Sequence, residues 1–263
     1  MKRLLAPILV LCGCSGLMAP RPAAPIGDSM LAGKFVATIL HEEESRIVEV
    51  PRRPDNDRYR LTLVLHALDG NSVRTVPLKG GLRSGQFMPS ARMLGDDGRL
   101  IWFHAHETMA YDYIAGKLLS GASLPRTGEP QRPFSQRNPP PRDFRAPAGS
   151  LCPGCKRPAL LLSAPNGIPV TLTGPNSVLV LHRSNSGVFG TELLSRTAPD
   201  GKTIWTVDTG LQDVTQILPS DPFTVFLGQQ PPEVPDAFRP PYLVIVNNQS
   251  GTATTHPLGI IPR

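Results

Sequence analysis

Two short stretches place chemistry-bearing side chains at close spacing: His104-Ala-His106-Glu107 and Cys152-Pro-Gly-Cys155. In an extended strand, residues i and i+2 point to the same face. The two imidazoles can therefore share a metal, with Glu107 on the other face. A third ligand would have to come from His66, His182 or His256, which spacing does not place. The plainer reading, two polar side chains on a solvated face beside Trp102, is the one adopted, and no metal site is assigned. The C-x-x-C pair reads as half a zinc site, a redox pair or a structural disulfide. Structural zinc needs four ligands, and the sequence has no second pair of this kind. A redox pair needs a helix N-terminus after its first Cys to lower the thiol pKa, and Pro158 and its neighbours form helix poorly. Glu42-Glu43-Glu44 reads as a charged turn, without the cleft that paired-acid hydrolysis requires. There is no G-x-S-x-G, phosphate loop, H-E-x-x-H or EF-hand loop. No catalytic residue and no cofactor are assigned.

The elements that must position these residues are strands. Thirty Pro and 24 Gly among 263 residues argue against long helices, because an interior Pro costs a helix roughly 3 kcal/mol. Short or alternating apolar runs recur between turn signals: KFVATIL, RIVEV, YRLTLVLHAL with Leu61, Leu63 and Leu65 on one face, VRTVPL, RLIWFHA and TMAYDYI. Past the middle come NSVLVLHR, VFGTELLSRT, KTIWTVD, FTVFLG, PYLVIVNN and GTATTHPL. Asp-Gly between such runs predicts a hairpin, since Gly accepts positive φ without steric cost. No amphipathic helix of ten residues or more is found. The expectation is an all-β sandwich, barrel or propeller.

Both tryptophans sit in the same local pattern. DDGRLIWFHA and PDGKTIWTVD share Asp, Gly, a basic residue, an apolar pair and Trp. The pattern resembles the blade repeats of bacterial β-propellers of the quinoprotein-like and WD40-like groups. That resemblance covers these two segments and implies a partial or atypical β-propeller of at most about five blades, each Trp packed between adjacent blades. At ~40–45 residues per blade the two Trp are roughly two and a half blades apart, an excess that an insertion between them absorbs. A β-sandwich or two small β domains are the alternatives.

The insertion is residues 124–150, LPRTGEPQRPFSQRNPPPRDFRAPAGS, with five Arg among seven Pro. Pro lacks the donor N–H of a central strand, so this is a long loop or an extended polyproline-like arm. It is either a solvated insertion or a binding arm, with Arg132, Arg137, Arg142 and Arg145 as its contacts to phosphate- or carboxylate-bearing polymers. A second Pro-rich turn, QQPPEVPDAFRPPY, joins the strands that begin near 223 and 242.

The N-terminus bears on location. Lys2 and Arg3 precede the apolar run Leu4–Leu11, too short for the ~20 residues that span a bilayer and suited to a signal peptide. Leu11-Cys12-Gly13-Cys14 resembles the lipobox of bacterial lipoproteins, although Cys12 stands where Ala or Ser is usual; an ordinary signal peptide cut near Ala19 or Ala24 is the alternative. The resemblance implies residues 1–14 as a lipoprotein signal peptide with Cys14 as the acylated (palmitate-type) first mature residue. Residues 15–33 are then a tether and 34–263 the β domain. Cys12 would leave and Cys14 would be lipidated, so two thiols remain, Cys152 and Cys155. In an oxidising periplasm these are expected to join as a disulfide. The implied location is the periplasmic side of the bacterial cell envelope, at the outer membrane by Ser15. The mature chain is mildly basic. An anionic envelope polymer or another envelope protein is the expected partner, with the membrane reached through the lipid, and nucleic acid is not. The expected function is a non-catalytic envelope binding or scaffold lipoprotein; the alternative is a propeller-type hydrolase or metal-dependent enzyme using His104 and His106.

Overall fold

The computed structural model describes residues 24–25, 29–44, 58–83, 91–105, 107–125, 160–161, 172, 177–184, 190–232 and 239–258. Among them the chain is all β, with one 3-10 turn at Gly121–Ser123. Seventeen strands form four antiparallel sheets that follow one another along the chain. The first sheet holds β1 (Ala24–Pro25), β2 (Met30–Ala32), β3 (Phe35–Glu44), β4 (Arg58–Ala67) and β5 (Val73–Arg83). β6 (Arg92–Asp96), β7 (Leu100–Ala105), β8 (Glu107–Asp112) and β9 (Lys117–Ser120) make the second. The third holds β10 (Leu160–Leu161), β11 (Val178–Arg183), β12 (Glu192–Thr197) and β13 (Thr203–Asp208), and the fourth β14 (Asp213–Pro219), β15 (Phe223–Gln229), β16 (Pro241–Asn247) and β17 (Ala253–Pro257). β1 and β2 share one edge of β3, so every sheet is a four-strand-wide meander.

The order in which the sheets stack follows from which apolar faces meet. β4 is apolar on both sides. Leu61, Leu63 and Leu65 do share one face, and with Ile39 they pack against Ile101 and Phe103 of the second sheet. Val64 on the opposite face joins Val36 and Leu40 against Val225, Leu243 and Ile245 of the fourth sheet. The other face of the fourth sheet, with Phe226, Val244 and Val246, meets Leu179, Leu181 and Leu194 of the third. Fully burying a side chain of this size stabilises by about 1.5–3 kcal/mol, so each seam has its own core. First and last sheets are therefore neighbours, as a ring of blades requires, and the chain is a partial, propeller-like array.

Polar contacts fasten two seams. Ser29 N–H donates to Gln216 Oε1, and Gln216 Nε2 donates to the Ser29 carbonyl, both at 2.9 Å. A side-chain amide thus stands in for a strand partner between the first and last sheets. At the third–fourth seam, buried Arg196 donates through Nε to Ser177 Oγ and through Nη1 to the Asn248 carbonyl.

Several expectations change. The end of the tether is structured: β2 pairs with β3, and Ser29, Met30 and Ala32 are buried. Met30 lies in the first–second core, so its apolar side chain draws the segment inward. Glu42-Glu43-Glu44 is the end of β3 rather than a turn, in register with Arg60, Tyr59 and Arg58. β6, β9 and β14 were not among the expected strands. RIVEV lies outside the described residues.

The two Trp hairpins turn as expected: Gly98 (φ 88°) and Gly201 (φ 82°) both take the left-handed region. Their strands differ in place. Trp102 is on β7, the second strand of its sheet, and Trp205 is on β13, the fourth strand of the next. The repeated pattern therefore marks two different strand positions, two strands out of step. Trp205 does pack between sheets, against the third–fourth core. Trp102, 2% exposed, packs instead with Leu94, Leu100, Ala110, Leu119 and Leu124 on the outer side of its own sheet.

Candidate functional site

His104 is half-buried on β7, in register with Arg92 and Thr108. Alternation along β7 sends Ile101 and Phe103 toward the first sheet and puts His104 on the outer face with Trp102. His106 lies outside the described residues, and Glu107 is exposed at the start of β8. The other three candidate histidines do not gather round His104. His66 and His256 meet each other at the first–fourth seam, with ring centroids 5.1 Å apart, while His182 sits on the third sheet. Among the described residues, no group of three or more His, Cys, Asp or Glu can hold a metal ion.

His182 belongs to a polar line that sequence spacing gave no reason to expect. Val180 pairs with Ser195, and Ser195 with Thr206, so three adjacent strands put His182, Ser195 and Thr206 on one face. His182 Nε2 lies 2.8 Å from Ser195 Oγ, which lies 2.7 Å from Thr206 Oγ1. Burial holds the His182 ring below its ordinary pKa, which favours the neutral imidazole. A base beside a hydroxyl is the start of a nucleophilic site, but acyl transfer also needs N–H donors aimed at the developing oxyanion. β12 is paired on both edges, so its N–H groups there are committed to the ladder. The line is a hydrogen-bonded row of polar side chains across three strands of the third sheet.

This polar face points away from the third–fourth core, and the Trp102 face points away from the first–second core. The proline- and arginine-rich segment connects the two sheets that carry them. It leaves the second sheet after β9 through the 3-10 turn Gly121–Ser123, where the Ser123 hydroxyl accepts the Ser120 N–H and donates to the Ser120 carbonyl. Leu124 then packs into the Trp102 patch. The chain rejoins the third sheet at β10. Arg132, Arg137, Arg142, Arg145, Cys152, Cys155 and Cys14 lie outside the described residues.

Together these features define an all-β, propeller-like scaffold with a long segment between its second and third sheets. No protein-family model matches the chain, and no curated protein does. Among solved structures it is similar to the β-propeller domain of the Trilobed protease from Pyrococcus furiosus, described as having an open velcro topology. The identity is 12%, over 90% of this chain and 57% of that one, with a TM-score of 0.24. The chain thus spans a little over half the length of the matched domain's chain.

Proposed function

We propose that the chain is a non-catalytic binding or scaffold lipoprotein of a bacterial cell envelope. A lipid on Cys14 holds it to the periplasmic side of a membrane, the outer membrane by Ser15. The arm at 124–150 recognises an anionic envelope polymer through Arg132, Arg137, Arg142 and Arg145, or docks another envelope protein. The observation that carries this reading is the contrast among the links between sheets. Residues 84–91 join the first sheet to the second and residues 209–212 the third to the fourth, whereas residues 121–159 separate the second from the third. A tightly linked scaffold that spends such length at one junction, in a segment rich in Arg and Pro, fits recognition by a connecting segment on a rigid frame.

Two experiments test the reading. Cys14→Ala should release the protein from the membrane fraction and abolish incorporation of a fatty-acid analogue; unchanged membrane association removes the anchor from the account. Binding of the soluble domain to a phosphate-bearing polymer such as polyphosphate should weaken at least tenfold when all four arginines become Ala. It should also weaken with salt in the wild type, because exposed charges are screened within ~10 Å at 0.1 M. Equal binding by both proteins would overturn the role of the arm.

A further inference from the structure

The first–fourth seam buries two imidazole rings against each other. His66 on β4 and His256 on β17 are tilted by 47° at 5.1 Å between centroids. His66 is 4% exposed. Among the described residues neither of its ring nitrogens has a hydrogen-bond partner, and neither does Nε2 of His256. What surrounds them is apolar. Val36 on β3 and Val73 on β5 flank His66 in register, and Leu243 on β16 flanks His256; Leu31 and Leu68 join the same cluster. On β17, Thr254 fits against the Gly70 turn between β4 and β5. Among the described residues, the titratable group acting on His66 is His256. Asp69, in the β4–β5 turn, is exposed and accepts the Asn71 N–H.

A neutral ring can sit in such a seam. An imidazolium there is a buried cation with no carboxylate facing it among the described residues, and its neighbour is a second group that also takes up protons. Among the described residues, the packing that holds the seam is apolar apart from the Gln216–Ser29 contact. We propose that the His66–His256 contact is an acid-operated latch: protonation of His66 parts β17 from the β4–β5 hairpin and opens the first–fourth seam, while the first–second and third–fourth cores stay closed.

Burial, and then the neighbouring His256, holds the His66 ring down to about 4 from the ordinary 6.5. A parted seam regains the ordinary value and takes up the proton that the closed seam refuses. Linkage then raises the open population by roughly 20-fold between pH 7 and pH 5. The sign is fixed by a depressed histidine: closure is favoured above the ordinary value and is lost as pH falls toward the folded one.

Amide hydrogen exchange on the full chain, corrected for the intrinsic pH dependence, reads this directly. At pH 5, protection should fall at least tenfold in β4, β16 and β17 and stay within twofold in β7, β8, β11 and β12. In His66→Leu the acid-induced loss should vanish. Equal loss across all four sheets, or the same local loss in His66→Leu, overturns the latch. Should His66→Leu fail to fold, the ring-proton shifts of His66 in the wild type decide: they should stay those of a neutral imidazole through pH 5.5. Titration near 6.5 with unchanged protection would refute the proposal.

Discussion

The hairpins that end in Trp102 and Trp205 begin alike and are held in different ways. In both, an Asp-Gly pair turns the chain and a Trp follows five residues after the Asp. Asp97 accepts the N–H groups of Arg99 and Leu100 and, through Oδ2, the Trp102 indole at 3.2 Å. Desolvation pushes the Asp97 carboxyl up, but these donors outweigh it and hold the group below the usual range. Asp200, the matching residue, accepts the Lys202 N–H. Its Trp205 turns to the fourth sheet instead, where the indole N–H is buried without an acceptor among the described residues and the ring lies on Gly251. A Cβ added there would sit 2.7 Å from Trp205 Cδ2. One hairpin is self-contained; the other is completed by a neighbouring sheet. The same local code thus specifies a turn and a return strand, while the surface the Trp meets is set by the strand's position in the array.

The sharpest way to break this comparison is Trp102→Ala. The side chain is 2% exposed, and its loss should cost about 3–5 kcal/mol, the range for large buried aromatics, measured by denaturant unfolding. A cost below about 1 kcal/mol would mean that the outer patch of the second sheet is not a core. Next is Gly251→Ala, expected to cost about 1–3 kcal/mol through overpacking and the positive φ of 73°. In a Trp205→Ala background the overpacking part should disappear, giving a coupling of at least ~0.5 kcal/mol in a double-mutant cycle. Strict additivity would separate Trp205 from the fourth sheet. The smallest effects come from the aspartates. Asp97→Ala should cost about 1–2 kcal/mol, since it strands a buried indole donor as well as two turn N–H groups. Asp200→Ala, at an exposed turn, should stay within ~0.5 kcal/mol. Equal costs would erase the distinction between the hairpins.

Much of the array was legible because β strands with one buried face write a period of two into the sequence. YRLTLVLHAL declared the face of Leu61, Leu63 and Leu65, now packed on Ile101 and Phe103. β6 and β14 were harder to read. Both begin their sheets, both contain a register shift, and Gly95 and Pro219 interrupt their apolar character. Their apolar side chains also answer to more than one neighbour, so no clean alternation survives. The His66–His256 contact was illegible for a different reason: the two residues are brought together by the packing of the first sheet on the last, which no local pattern encodes. The His182–Ser195–Thr206 line likewise depends on the register of three strands.

The adjacency of the first and last sheets is the central structural claim, and one cross-link tests it. A Cβ built at Gly70 lies 3.2 Å from Thr254 Cβ, close to the ~3.5–4.5 Å that a disulfide spans. The double variant Gly70→Cys, Thr254→Cys, oxidised at high dilution and mapped by mass spectrometry without reduction, should yield a peptide pair joining the β4–β5 turn to β17 within one chain. Two unlinked thiols at these positions in the folded, monomeric protein would contradict the packing of the first sheet on the last.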